Sequence, residues 1–158
     1  MGREKDKDRI VCVNRRARFN FTIEETFEAG LVLVGSEVKS LREGKANLVD
    51  SYGRIGKGEA FLFNAHISPY AAASGLNHEP TRSRKLLLHK REIQRLTGKV
   101  KERGLTLVPL KLYFKNGRAK VELALARGKR VRDKREVLRR KAAQREVERT
   151  LKSRRWTR

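Results

Sequence analysis

Residues able to act as nucleophile, base or metal ligand are few in this chain, and they are scattered. One cysteine, Cys12, stands far upstream of three histidines, His66, His78 and His89. Val11 and Val13 on either side of it describe a packed strand position rather than an activated thiol. The histidine spacings match no zinc site. Glu24 and Glu25 form a carboxylate pair in sequence, but neighbours on a strand point to opposite faces. Gly53-Arg-Ile-Gly56-Lys57-Gly58 has the glycines of a phosphate loop, yet their spacing is short and Gly58 stands where Ser or Thr would bind Mg²⁺. What remains is chemistry directed at phosphate. Arg15-Arg16-Ala17-Arg18, Arg82-Ser83-Arg84-Lys85, Lys90-Arg91 and a basic C-terminal stretch supply guanidinium forks for bidentate contacts and ammonium point charges. These residues predict a binding protein with no catalytic centre, metal or cofactor.

The totals support that choice of ligand. Lys and Arg number 40 against 18 Asp and Glu, a formal charge of +22 over 158 residues. Such a field draws polyanions. No apolar run reaches the length of a membrane-spanning helix, and the charged N-terminus reads as no signal peptide. A single cysteine excludes an internal disulfide framework and fits a reducing compartment. The expectation is a cytoplasmic monomer that binds nucleic acid. Aromatic residues make up 6% of the chain and most phenylalanines fall at inward positions, so recognition of a folded RNA's backbone and shape is favoured over extensive base stacking. Tyr52, Tyr70 and Trp156 are the aromatic exceptions.

The elements that must position these clusters divide in two. From Arg127 to Arg158 there are 15 basic and 4 acidic residues, a net of +11, while residues 1–126 carry the same +11 over a far longer segment. This shift predicts an RNA-binding body, 1–126, and a basic tail, 127–158. In the body, Phe19, Phe21, Ile23, Phe27, Leu31 and Leu33 alternate as one long strand, bent near Gly30 or Gly35. Ser36 is expected to cap a short helix, Glu37–Glu43, that Gly44 ends. Strands around Leu48–Ile55 and Glu59–Ile67 join through Gly56-Lys57-Gly58, and Ser68–Arg84 reads as a long loop. Ile93, Leu96 and Val100 mark one face of a helix from His89 to Arg103 that Gly104 ends. Leu105–Lys115 and Arg118–Ala126 form a hairpin about Asn116-Gly117, with Pro109 marking an edge or a bulge. Five or six antiparallel strands with short helices predict a mainly β, partly open barrel of the oligonucleotide-binding kind. In the tail, Leu138, Ala142, Ala143, Val147 and Leu151 read as one thin helical stripe, too small to order alone. The tail is therefore expected to be disordered when free and helical when bound.

Specific strings accumulate in order: Asn14-Arg-Arg-Ala-Arg18, Phe27-Glu-Ala-Gly30, Glu37-Val-Lys-Ser-Leu-Arg42 and Gly44-Lys-Ala-Asn47. Asp50-Ser-Tyr52, Gly58-Glu-Ala-Phe-Leu62, Pro80-Thr-Arg-Ser-Arg-Lys-Leu-Leu-Leu88 and Gly128-Lys-Arg-Val-Arg-Asp-Lys-Arg135 follow. Together they resemble the bacterial SsrA-binding protein family, SmpB, from about Ile10 to the end of the chain. That resemblance implies an oligonucleotide-binding-like barrel with a flexible tail. It also implies binding to the tRNA-like domain of transfer-messenger RNA, delivery to stalled ribosomes, and tagging of the stalled peptide in trans-translation. The positions it marks for RNA are Asn14, Glu28 and Leu87–His89, beside the basic residues Arg15, Arg16, Arg18, Arg82, Arg84 and Lys85. The positions it marks for the ribosome are Gly128, Lys129, Arg130, Arg132, Asp133, Lys134 and Arg135 near the small-subunit decoding centre and message channel, with Trp156 at the far end. Arg132 stands where the family often has histidine or an aromatic residue. Elongation factor Tu and alanyl-tRNA synthetase are expected only as indirect partners through the RNA. Two rival readings stand beside it: a ribosomal or ribosome-assembly protein with a basic extension, and an RNA-modifying or RNA-cleaving enzyme using Cys12 or a histidine.

Overall fold

The computed structural model describes residues 9–73 and 75–156. Among them the chain forms β1 (Arg9–Val13), α1 (Arg15–Asn20), β2 (Phe21–Leu31), α2 (Gly35–Arg42), β3 (Ala46–Asn47), β4 (Tyr52–Gly56), β5 (Glu59–Phe63) and β6 (His66–Ile67). β7 (Arg84–Leu87), α3 (Lys90–Arg103), β8 (Thr106–Lys115), β9 (Arg118–Gly128) and α4 (Val131–Trp156) complete it. Contacts divide the chain into two compact units on either side of the Gly128–Lys129 bond.

In the first unit, one antiparallel sheet runs β1-β8-β4-β5-β7-β2-β9, and β9 also pairs with β8. That second pairing closes β8, β4, β5, β7, β2 and β9 into a ring. The sequence predicts a partly open barrel. Among the described residues the closure at one junction is indeed slight, a single bridge between Gly53 of β4 and Leu107 of β8. A Cβ on Gly53 would stand 2.9 Å from the Leu107 Cβ, so only glycine lets the two backbones meet. The long strands supply the rest. β8 and β9 turn about Asn116 and Gly117, whose φ angles of 52° and 76° suit the twist of a two-residue hairpin. The register slips at Pro109–Lys111, a bulge at the residue that cannot donate to the ladder.

Alternation along these strands sorts the side chains into two layers. Phe27, Ala29, Leu107, Leu112, Phe114, Val121, Leu123 and Leu125 point into the ring, joined by Leu41 from α2 and Leu96 from α3. A smaller outer cluster covers the opposite face of β2, β8 and β9. There Ala17 of α1 lies against Val108, Leu110, Ala124 and Ala126, with Phe21 and Ile23 at its margin.

Local differences from the sequence reading have physical causes. Phe19 belongs to α1 rather than to a strand from Phe19 to Leu33, because Asn14 caps a six-residue helix before β2 begins. Ser36 does not cap α2. Val34 holds that position, Glu37 accepts its N–H at 3.0 Å, and the Ser36 hydroxyl donates instead to Nδ1 of His78 at 2.8 Å. β7 begins at Arg84, the last residue of the stretch that reads as loop, and continues through Lys85–Leu87, to which the sequence reading assigns no element. α3 begins as expected, with Glu92 accepting the His89 N–H at 3.0 Å, and ends at Gly104 with φ of 60°.

The second unit contains α4, a 26-residue helix. Its helical conformation is the one expected of the bound tail. The expected single stripe is not present, however. At about 100° per residue, Leu138 and Ala142 lie on the side of the helix away from Val147 and Leu151. Leu138, Val147 and Leu151 are all more than half exposed.

Candidate nucleic-acid interface

Two segments distant in sequence meet on the outside of the ring. Glu28 projects outward from β2, Leu87 ends β7 opposite Gly30, and His89 caps α3 immediately after. With Leu88, Glu92 and Lys120 they line a groove of about 480 Å³. Glu28 also lines a second groove, of about 540 Å³, that runs over β2, β9 and β8 past Lys111, Tyr113, Lys115 and Glu122. Register explains the grouping: Glu28 pairs with Glu122, which pairs with Lys111, and Gly30 pairs with Lys120, which pairs with Tyr113. Tyr113, Lys111, Lys115 and Lys120 were not picked out by sequence reasoning. Period-2 alternation across the Asn116-Gly117 hairpin is the signal that puts them outside.

The Glu28 carboxylate is the hub of this surface. It accepts a short hydrogen bond from the Tyr113 hydroxyl and one from Lys115 Nζ at 3.3 Å, with Lys120 Nζ at 4.0 Å. The Tyr113 bond, followed by the two lysines, holds its pKa below the usual carboxylate range. Burial, then the hydrogen bond to Glu28, pushes the Tyr113 phenol up. Glu28 is therefore charged and Tyr113 protonated across the physiological range. Lysines around such an acid can meet phosphates, while the carboxylate itself accepts from a base amino group or a ribose 2′-hydroxyl.

Two of the sequence-marked residues lie beneath this surface. Asn14 is buried, and its side chain is fully engaged inside the body. It accepts from Ala17 N–H at 3.3 Å and donates to the carbonyls of Leu48 and Pro109 at 3.2 and 3.0 Å. This amide sets α1 on the outer face, so the structure gives Asn14 a positioning part. Arg15, Arg16 and Arg18 of α1 are exposed there, on the same face of β2, β8 and β9 as the Glu28 grooves.

Arg84 is the second of them, and a correction. It is wholly buried, so it cannot reach phosphate. Its Nε donates to Glu37 Oε1 at 2.8 Å, Nη1 to the carbonyls of Ala65 and Arg82 at 2.6 and 3.1 Å, and Nη2 to Pro80 at 3.0 Å. Arg82 closes on the same carboxylate from the loop side, Nε to Oε1 and Nη2 to Oε2, both at 2.7 Å. Burial works to raise the Glu37 pKa. The Arg82 bond, the Val34 N–H and Arg84 outweigh it, and the carboxyl stays ionised below its usual range. This cluster ties α2 to the start of β7 and so fixes where Leu87 and His89 emerge. Lys85, next to Arg84 on β7, is exposed and pairs with Glu59 at 2.8 Å.

The remaining chemical candidates sit apart. Cys12 lies half-buried on β1, and burial pushes its thiol up to about 11, which keeps it protonated at neutral pH. His78 is held between Ser36 and the Ile67 carbonyl, to which its Nε2 donates at 2.9 Å. Among the described residues no cluster of three or more His, Cys, Asp or Glu side chains could hold a metal ion, and no helix is long and apolar enough to cross a membrane.

In the second unit, Lys134 N–H bonds to the Arg130 carbonyl at 3.2 Å, which starts the helix, and Asp133 lies in the first turn, where the helix dipole favours it. Arg132, Asp133 and Arg135 are exposed. Gly128 closes β9 opposite Phe21. The side chain of Trp156 lies outside the described residues.

A closed ring of antiparallel strands, a cation-rimmed groove on its outer face and a polybasic helix together define an oligonucleotide-binding-type barrel protein with a basic extension. The family model described as SmpB protein matches residues 11–153, and the chain belongs to that family. The SsrA-binding protein of Syntrophobacter fumaroxidans (strain DSM 10017 / MPOB) is 61% identical over 150 residues, 95% of this chain and 93% of that one. The SsrA-binding protein of Geobacillus thermodenitrificans (strain NG80-2) is 57% identical over 95% of this chain and 97% of its own. A solved structure described as "tmRNA-SmpB: a journey to the center of the bacterial ribosome" is similar with a TM-score of 0.66 and 54% identity. It covers 82% of this chain and 94% of that one.

Proposed function

We propose that this chain binds the tRNA-like domain of transfer-messenger RNA and brings it to stalled ribosomes in trans-translation, where the broken message is abandoned and the stalled peptide tagged. Family membership supports the activity. The observation that carries the assignment of surface is the convergence of Glu28 with Leu87 and His89, from a segment distant in sequence, on one groove rimmed by Lys120. In this reading the body grips the folded RNA. Lys111, Lys115, Lys120 and the α1 arginines meet phosphates, and Glu28 selects donors on base or sugar. Arg82 and Arg84 hold the groove in shape.

The tail, residues 127–158, acts as a separate functional part that enters an empty message channel on the small subunit near the decoding centre. Gly128, Lys129, Arg130, Arg132 and Asp133-Lys134-Arg135 form its first segment, and Trp156 its far end. A helix with basic residues on every side suits a passage walled by phosphate all around better than a flat surface. With apolar side chains exposed on two sides, α4 buries too little to offset its own ordering, so it folds where RNA neutralises it. In this reading the protein acts in the cytoplasm, as a monomer on its RNA. Elongation factor Tu and alanyl-tRNA synthetase join through the RNA alone.

The test separates the two parts. Alanine at Asp133, Lys134 and Arg135 is expected to leave binding to transfer-messenger RNA intact and to abolish tagging on ribosomes; equal loss of both would merge them. Constitutive co-sedimentation with ribosomes from cells lacking transfer-messenger RNA would instead identify a ribosomal protein. Circular dichroism of an Arg127–Arg158 peptide should show a coil that becomes helical on adding RNA, and a stable helix in dilute buffer would overturn folding on binding.

A further inference from the structure

The β4–β5 hairpin carries an aromatic surface that the Glu28 grooves do not use. Tyr52 pairs with Phe63 across the hairpin, and the two rings stack with centroids 5.6 Å apart and planes 13° from parallel. One row further along, Arg54 pairs with Phe61, and Phe61 pairs with Lys85 of β7. Their neighbours Gly53, Ala60, Leu62, Arg84 and Leu86 are the buried positions of these strands. Tyr52, Arg54, Phe61, Phe63 and Lys85 therefore share the outer face. The sequence reading placed most phenylalanines inward; Phe61 and Phe63 are outward.

These rings are partly exposed, and none of the three belongs to either hydrophobic core. A cross-strand pair accounts for Tyr52 and Phe63, since such pairs steady hairpins. It leaves Phe61 unexplained: a partly exposed apolar ring between an arginine and a lysine. Flat rings flanked by cations match one ligand chemistry closely, a base on the ring with its phosphates on the charges. Duplex RNA does not offer that, because its base faces are stacked inside; only unpaired nucleotides do. The face is also continuous with the groove already described. Lys85 and Leu87 both point outward from β7, and Leu87 lines the Glu28 groove.

We propose that the Tyr52–Phe61–Phe63 face, with Arg54 and Lys85, is a stacking platform for unpaired nucleotides, and that it extends the RNA path from the Glu28 groove across β7 onto the hairpin. The proposal rests on the RNA-binding reading of the body and adds to it a ligand class, single-stranded RNA, and a second surface. Phe61 is the residue on which a base lies, Tyr52 and Phe63 continue the plane, and the two cations hold the phosphates on either side.

Full-length protein is titrated, at salt raised enough to weaken the bulk electrostatic term, with a labelled ten-nucleotide oligouridine and with a labelled RNA hairpin of equal length. Phe61→Leu keeps an apolar strand residue and removes the π-face, whereas Phe61→Trp enlarges it. Leucine is expected to weaken the single strand about fivefold or more while the hairpin changes less than twofold, and tryptophan to retain single-strand affinity. A Phe61→Leu effect under twofold on the single strand overturns the platform, as does equal loss with leucine and tryptophan. So does equal loss on both RNAs with an unchanged thermal melt. Loss of ribosome recovery with both RNAs unaffected would assign the face to a protein and overturn it as well. Glu28→Gln, measured in parallel on transfer-messenger RNA, keeps the two readings apart. If it has no effect, the groove reading fails, whatever Phe61 does.

Discussion

Replacing Glu37 by glutamine tests the reasoning most sharply, because it changes a single heavy atom at the point where four donors converge. Oε1 receives Nε of Arg82 and Nε of Arg84, and Oε2 receives Nη2 of Arg82 and the Val34 N–H. Whichever oxygen becomes an amide nitrogen, two acceptors are lost and a donor faces a donor. The charge opposite Arg84 disappears at the same time, and both side chains are fully buried. Removing one partner of a buried ion pair destabilises by about 3–5 kcal/mol. For a chain of this size that is roughly 6–20 °C in melting temperature. The assay is a thermal melt followed by circular dichroism, with urea unfolding to give the free energy. The double variant Glu37→Leu with Arg84→Met removes both charges together and should recover much of the loss. A Glu37→Gln protein that melts within about 2 °C of the parent would refute the idea that this carboxylate holds α2 to β7.

Asn14→Ala should destabilise by about 1–3 kcal/mol in urea, since it removes a helix cap and one donor each from the carbonyls of Leu48 and Pro109. Its RNA affinity should fall as well, because α1 loses its place. Gly53→Ala forces a Cβ against the Leu107 Cβ and is expected to lose about 1–3 kcal/mol by the same assay, whereas Gly56→Ala, which meets nothing within 4 Å, should not. Glu25, Glu28 and Glu37 all titrate below their ordinary value of 4.5 in the folded state, through Lys99 and Arg95, through Tyr113 and the lysines, and through the arginine pair against burial. The unfolded chain therefore takes up protons first. The stability these groups give is complete above about pH 4.5 and drains away as pH falls through their folded values. Urea midpoints measured from pH 6 to pH 3 should decline over that window, and a flat profile would contradict the pairing.

Much of the fold could be read locally. The Asn116-Gly117 hairpin, the Gly56–Gly58 turn, the α3 periodicity with its Gly104 stop and the Pro109 bulge are each written in a few adjacent residues, and each lies where that code places it. The failures share one cause. α1 was hidden because Phe19, Phe21 and Ile23 continue an alternation that Asn14 interrupts, and the cap shows only once its side chain is seen bonded to Leu48 and Pro109. β7 was hidden because its inward residue is charged. Nothing beside Arg84 announces Glu37, which lies nearly fifty positions away. The same blindness put Arg84 among the phosphate-binding residues, since a buried and an exposed arginine are spelled alike. At the groove, sequence found Glu28, Leu87 and His89 only through resemblance. Tyr113 and Lys120 follow from strand register, which a list of basic clusters does not consult. The tail misled in the other direction: five apolar residues look like a stripe until they are wound at helical pitch.

The bridge between Gly53 and Leu107 has a kinetic meaning as well as a geometric one. Every other junction of the ring is zipped by a turn or by a longer ladder, while this one joins residues more than fifty positions apart through one rung. Loop closure over that distance is unfavourable until the rest of the core is in place, so this rung forms late and parts early. The β4–β5 hairpin is then a hinged leaf on an otherwise continuous wall. Its seam amides should exchange with deuterium ahead of those in β2 and β9, and the barrel has a built-in direction in which to breathe.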